Sequence, residues 1–199
     1  MFEKYFNNRF YILYFIPFIL GSLSTLSFQP FNFILVNLII FPLLFYLIVF
    51  INKKSKSIYR QKPYKKNLFI IGFFLSSLSW ITNSLTFDDN FKFLIPFALI
   101  LIPLFLSLFT ALTVLAIGPY LKFNFSSIIL FSAAFAISDY LRAKLFTGFP
   151  WNLWAYSSAN IGEFLQILNF IDLYSYNLLL ITVFTIPALI FFKISSTSI

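Results

Sequence analysis

The chain has 199 residues, 60% of them hydrophobic and only 10% charged, with a mean hydropathy of +0.91 and a formal charge of +8. A soluble domain carries about a quarter charged residues, so this composition excludes an ordinary water-soluble fold and indicates an integral membrane protein. There is no cysteine and no histidine, which excludes disulfides, a thiol nucleophile, a Cys/His zinc site and an imidazole base.

In chain order, a basic start leads into a first apolar run from Phe10 to Phe28. It lacks a small-residue cleavage site and reads as a retained span, not a removed signal peptide. A tight turn at Gln29-Pro30 separates it from a second run, Phe31 to Ile51. The connection NKKSKSIYRQKPYKKN then gathers Lys53, Lys54, Lys56, Arg60, Lys62, Lys65 and Lys66. Such a cluster between apolar runs is a topology signal that also attracts anionic headgroups. It lacks the interleaved stacking aromatics of a nucleic-acid site, so no nucleic-acid partner is expected. Further runs follow from Leu68 to Phe87, Phe93 to Gly118, Ser126 to Leu141 and Ile167 to Phe192.

A helix needs about 20 apolar residues to cross roughly 30 Å of hydrocarbon, and lipid offers the backbone no hydrogen bonds, so only helices or a closed barrel can span. These runs are too long and too continuously apolar for alternating barrel strands. The expected fold is therefore an all-α polytopic transmembrane bundle of about six spans. Pro17, Pro42, Pro96, Pro103 and Pro187 are expected to kink helices and not to end them. With the loop 52–67 in the cytoplasm, both termini are cytoplasmic, and that side collects eleven of the 14 basic residues. Lys92, Arg142 and Lys144 are left outside, together with Asp88 and Asp89. The segment FTGFPWNLWAYS is then expected on the outer face, the periplasm if the cell is a Gram-negative bacterium.

Polar chemistry concentrates in the outward segment SDYLRAKLFTGFPWNLWAYSS. Asp139 and Arg142 are three residues apart and share a helix face. They can form an ion pair that offsets charge near the membrane boundary, or Arg142 and Lys144 can contact a lipid phosphate. Gly148 and Pro150 break the helix and restrict Phe149 between them. Trp151, Asn152, Trp154 and Tyr156 then read either as interfacial anchors or as part of a re-entrant site. Trp80, with Thr82, Asn83 and Ser84, forms a second polar–aromatic patch expected on the same side. Asp172, about one turn into the sixth run, is an ionisable group at membrane depth and a functional candidate by default. No metal site and no cofactor is expected.

The stretch LRAKLFTGFPWNLWAYS resembles a signature of apolipoprotein N-acyltransferases, in which a Glu-x-x-Arg-Gly helix end precedes Thr-Gly-Phe-Pro-Trp, an aromatic and Gly-Tyr-Ser. Thr147, Gly148, Phe149, Pro150, Trp151, Tyr156 and Ser157 match in order. LSTLSFQPFNFILVNLIIFPLL resembles the family's first hairpin, and FFLSSLSWITNSL its third span, with Trp80 in the matching place. Asp139 stands where the family has Glu, and Ala143 and Ala155 where it has Gly. The resemblance implies that residues 1–193 form the family's N-terminal membrane domain, with 194–199 a truncated tail. It implies a lipid entrance shaped by Gly148, Phe149, Pro150, Trp151, Asn152, Tyr156 and Trp80, with Asp139, Arg142 and Lys144 as headgroup contacts. The implied substrates are a phospholipid acyl donor and a diacylglyceryl-lipoprotein acceptor. Relatives carry a nitrilase-like domain with a Glu-Lys-Cys triad, and this chain lacks that domain. The chain is therefore expected to be inactive alone. An alternative is a non-catalytic lipid- or lipoprotein-binding membrane module working with a separately encoded nitrilase-like partner.

Overall fold

A computed structural model of the chain describes residues 15–54, 64–78, 85–145 and 150–191. Every regular element among them is helical. The long elements are α1 (Ile16–Ser24), α2 (Asn37–Lys54), α3 (Tyr64–Ser77), α4 (Ile95–Ile117), α5 (Phe125–Lys144) and α7 (Leu173–Thr185). Two short helices, α6 (Gly162–Gln166) and α8 (Ala188–Phe191), and several 3₁₀ turns complete the order. Among the described residues, three helical stretches are long and apolar enough to cross a membrane: Asp89–Tyr120, Phe125–Lys144 and Leu173–Phe191. Ile16–Ser27 and Ile34–Phe50 are shorter apolar helices.

Local chemistry explains where these helices start and stop. Pro17 and Pro96 occupy the first turns of α1 and α4, where a missing N–H costs nothing. Pro42 and Pro103 lie inside continuous helices, as expected of a membrane bundle. Pro187 instead falls in the turn between α7 and α8, so at that position the helix is interrupted. At the end of α1 the hydroxyls of Ser24, Thr25 and Ser27 donate to carbonyls three residues back, at 2.6, 2.7 and 2.7 Å, and tighten the chain into the predicted turn. Asn32 takes a left-handed φ of 58° there, and the Phe33 amide returns to the Leu26 carbonyl at 2.8 Å. Asn124 caps α5 by accepting from the Ser127 amide at 2.9 Å, while the Ser127 hydroxyl accepts from the Lys122 amide at 2.9 Å.

One expectation is corrected here. The sixth apolar run was expected to be helical from Ile167, with Asp172 one turn inside it. The long helix begins at Leu173, and Asp172 is its N-cap, accepting from the Tyr174 amide at 2.9 Å. An aspartate beside the free N–H groups of a helix start is more stable as a cap than one turn inside an apolar helix. Residues 162–169 instead form α6 and a 3₁₀ turn, with Ile167 and Leu168 packed on the core.

The interior is largely aromatic and aliphatic. Phe41, Phe45, Ile128, Phe131 and Ile181 are fully buried, and Phe45 meets Phe131 edge-on at 5.7 Å to join α2 to α5. Helices α1 and α3 approach closely at Gly72. A Cβ placed on Gly72 would lie 2.3 Å from the Phe18 carbonyl oxygen and 3.2 Å from the Ser22 hydroxyl. Backbone cannot move aside as a flexible side chain can, so the glycine permits the contact, and the Ser22 hydroxyl donates to the Gly72 carbonyl across it at 3.4 Å.

Gly72→Val is therefore expected to separate α1 from α3 and cost about 1–3 kcal/mol, the usual range for overpacking. The thermal midpoint of the detergent-solubilised protein checks this, and an unchanged midpoint would show that the two helices are not held at this distance.

Candidate functional site

The segment from Pro150 to Ile161 crosses the end of the bundle between α5 and α6. Its centre is Trp154, which is 2% exposed. The indole stacks on Phe73 of α3 at 4.6 Å, meets Phe41 of α2 edge-on at 4.8 Å, and touches Phe28 of the first turn at 5.7 Å. Trp154 also opens a 3₁₀ turn, Trp154–Ser158, in which Ser157 and Ser158 donate back to the carbonyls of Trp154 and Ala155 at 2.7 and 2.8 Å.

Polar bonds then fix this turn to three helices. Arg142 of α5 donates to the Trp151 carbonyl at 2.8 Å and to Asp139 Oδ1 at 3.2 Å. The other carboxylate oxygen accepts from Asn177 Nδ2 of α7 at 3.0 Å, and Asn177 Oδ1 accepts from the Ala155 amide at 3.0 Å. Ser158 and Tyr176 share a hydroxyl–hydroxyl bond of 2.8 Å. On the remaining side Asn152, at a φ of 59°, donates to the Ser77 hydroxyl of α3 at 2.6 Å. Asparagine tolerates the left-handed region better than most residues, so it can turn the chain and tie it down at once.

The guanidinium of Arg142 is 2% exposed and lies 5.2 Å from the centre of the Phe74 ring. The predicted Asp139–Arg142 pairing is thus present, buried, and extended by Asn177. Pro150 and Trp151 remain exposed, Trp151 at 55%, while Asn152 and Tyr156 are half-buried beside them. Lys144 is exposed one turn beyond Tyr140, with its ammonium 5.9 Å from the Tyr140 ring centre. Partial burial, and then Tyr174 nearby, push the Tyr156 phenol above its ordinary value, against a smaller opposing effect of Arg142. At neutral pH Tyr156 is a neutral hydroxyl, able to donate a hydrogen bond and not to act as a base.

Gly148, Phe149 and Trp80 lie outside the described residues, as do Thr147, Thr82, Asn83 and Ser84. Sequence reasoning missed Asn177, which holds both the ion pair and the loop. Its signal was a lone asparagine within the apolar helix LYSYNLLLITVF, a residue that must find a partner when it is buried. Reasoning from sequence also grouped Trp151 with Trp154, which the fold separates into an exposed and a buried ring. The arrangement offers hydrogen-bond donors and apolar surface on a fixed frame.

The family model for the apolipoprotein N-acyltransferase N-terminal domain matches residues 20–186. The chain is 32% identical over 178 residues to apolipoprotein N-acyltransferase of Brucella suis, covering 87% of this chain and 34% of the relative. It is 31% identical over 181 residues to that of Sinorhizobium medicae, covering 88% and 34%. For the Rhodopseudomonas palustris protein of the same name the identity is 31% over 174 residues, covering 85% and 32%. The chain thus spans about a third of the length of the relatives it matches.

Breaking the network on one side should cost far more than removing it whole. Arg142→Met is expected to destabilise the protein by about 3–5 kcal/mol, because it strands a buried carboxylate, and adding Asp139→Leu should recover more than half of that loss. Asn177→Leu frees the Ala155 amide and one carboxylate oxygen, at about 1–3 kcal/mol for each unsatisfied group. Unfolding midpoints of these three variants, of Asp139→Leu alone and of wild type decide it: additive losses in the double variant would mean that the pair is not coupled.

Proposed function

The chain belongs to the apolipoprotein N-acyltransferase family, matching its N-terminal domain, and from that premise we propose that it is the membrane part of a lipoprotein-maturing acyltransferase. In this reading the bundle spans a bacterial inner membrane about six times, with both termini cytoplasmic and the Trp151 loop on the outer side. The uneven distribution of lysine and arginine supports that orientation. The bundle presents a phospholipid acyl donor and then a diacylglyceryl-lipoprotein acceptor to a catalytic domain. No residue of this chain forms the acyl thioester, since it contains no cysteine. The thiol is supplied from beyond these 199 residues, by a continuation of the polypeptide or by a separate nitrilase-like subunit.

The observation that carries the reading is the exposed Trp151 on an otherwise immobilised loop. Its carbonyl is held by Arg142 and the next residue by Ser77, while its indole stays at the surface. A tryptophan that only packed the bundle would gain by burying its ring, as Trp154 does. In the same reading Pro150, Asn152 and Tyr156 contribute to this lipid entrance, positioning acyl chains and headgroup beneath the reacting centre; Gly148, Phe149 and Trp80, which the resemblance adds to it, lie outside the described residues. If the catalytic domain is a separate subunit, it will co-purify with this chain; continuous coding sequence downstream would establish the single-polypeptide form.

Purified alone, the chain should form no acyl-enzyme with phospholipid, and an acylated species in its mass spectrum would overturn the assignment of roles. Fused to the nitrilase-like domain of a relative in place of that protein's own bundle, it should support acylation of a diacylglyceryl lipopeptide. Trp151→Ala in the fusion is expected to slow transfer about tenfold, corresponding to ~1.4 kcal/mol of lost lipid positioning, while Trp151→Phe keeps most of the rate. Equal rates for all three would return Trp151 to a simple interfacial anchor.

A further inference from the structure

Two consecutive residues of α7, Tyr176 and Asn177, are both fully buried and both bonded to the loop, but they hold different parts of it. Tyr176 shares a hydroxyl–hydroxyl bond with Ser158 at 2.8 Å, at the far end of the 3₁₀ turn. Asn177 accepts from the Ala155 amide at 3.0 Å, near the start of that turn, and donates to Asp139 Oδ2, also at 3.0 Å. Asp139 Oδ1 accepts from Arg142, whose other terminal nitrogen donates to the Trp151 carbonyl. Asn177 therefore holds the buried half of the loop directly, and the exposed half through two intermediaries. Both holds meet at one side-chain amide.

A carboxylate does not keep a direction by itself. The last torsion of an aspartate is broad, so the plane of the Asp139 group is set by what each oxygen bonds. One oxygen faces the Arg142 guanidinium and the other the Asn177 amide, and loss of the second leaves the group free to turn. The guanidinium donates as a rigid planar fork, so Arg142 would turn with it and the Trp151 carbonyl would follow. Asn152 ties the same stretch to Ser77 from the α3 side, so the loop would shift and not come away. A shift is enough, since a misplacement of about 1 Å caused far from the reacting atoms can cost on the order of a hundredfold in rate.

We propose that Asn177 is a positioning residue for Trp151: it touches no lipid, and it sets where the exposed indole meets one. This role rests on the lipid-entrance reading above and gives control of that entrance to a side chain buried in α7. Tyr176 has no such part, because its bond holds the end of the turn and leads to no partner of Trp151.

A double-variant cycle on the fused enzyme described above tests this, with kcat/KM for acylation of a diacylglyceryl lipopeptide as the readout. Trp151→Ala alone should slow transfer about tenfold. In an Asn177→Leu background, itself about tenfold slower, the same change should cost less than about twofold, because the indole has already lost its place. In a Tyr176→Phe background the full loss should remain. Asp139→Asn combined with Asn177→Asp rebuilds the bond between α5 and α7 with donor and acceptor exchanged, and should restore the dependence on Trp151. Losses that multiply in the Asn177→Leu background would overturn the role of Asn177 and leave the lipid entrance standing. No loss from Trp151→Ala in the otherwise wild-type fusion would instead overturn the lipid entrance. The 199-residue chain supplies a second measurement that needs no fusion: fluorine NMR after 5-fluorotryptophan labelling, with the Trp151 resonance assigned by Trp151→Phe. Asn177→Leu should move that resonance and Tyr176→Phe should not. A Trp151 resonance unmoved by Asn177→Leu would overturn the proposal whatever the fusion does.

Discussion

The constraint on which the site depends is the cost of leaving a buried polar group without a partner. The segment from Pro150 to Ser158 runs over an apolar bundle end, and its backbone amides and carbonyls must be satisfied there. One arginine does much of this. Arg142 is long enough to reach from α5 to the Trp151 carbonyl, and its charge is tolerable in the interior only because Asp139 is three residues away on the same face. The carboxylate in turn needs a donor for its second oxygen, which Asn177 supplies, and the asparagine's remaining oxygen accepts the Ala155 amide. Each member is present because the previous one would otherwise be stranded. Such a network is worth little as an ion pair and much as a device that admits a single arrangement of loop and helices.

The aromatic packing works with this network by a different mechanism. Trp154 contributes area and shape, joining α2, α3 and the first turn through three rings. Dispersion and hydrophobic burial are not directional, so alone they would hold the loop close without fixing its register. Hydrogen bonds from Arg142 and Asn152, and one from the Ala155 amide to Asn177, on either side of the indole remove that freedom. The tryptophan therefore anchors the loop and the polar residues orient it, and the surface residues between them inherit a fixed position.

Much of the fold was legible because its causes are local. The Gln29-Pro30 turn and the helical spacing of Asp139 and Arg142 are properties of short windows, and both appear as expected; apolar length gives helices, three of them among the described residues long enough to cross a membrane. The start of the last long helix was misread because hydropathy does not register capping: Ile167 and Leu168 are apolar, yet Asp172 captures the helix start five residues later. Within the site, spacing could predict a pair on one helix but not its partners elsewhere. Asn177 is 38 residues from Asp139, and Ser77 is 75 from Asn152. Nothing local distinguishes Trp151 from Trp154 either, since they are three residues apart in the same aromatic-rich turn.

That separation of the two tryptophans bears on how the family motif is to be understood. A run such as Pro-Trp-Asn-Leu-Trp invites a single role, either anchor or site. In the folded chain the roles alternate along it: Trp151 exposed, Asn152 bonded, Leu153 and Trp154 buried, Tyr156 half-exposed. The change from exposed to buried follows from the left-handed Asn152, which turns the chain between Trp151 and the 3₁₀ turn that opens at Trp154. A sequence constrained in this way is intolerant of substitution even at residues that touch no substrate. Matching residues in the motif therefore mark two things at once: the frame that holds the loop, and the few side chains that the frame leaves at the surface.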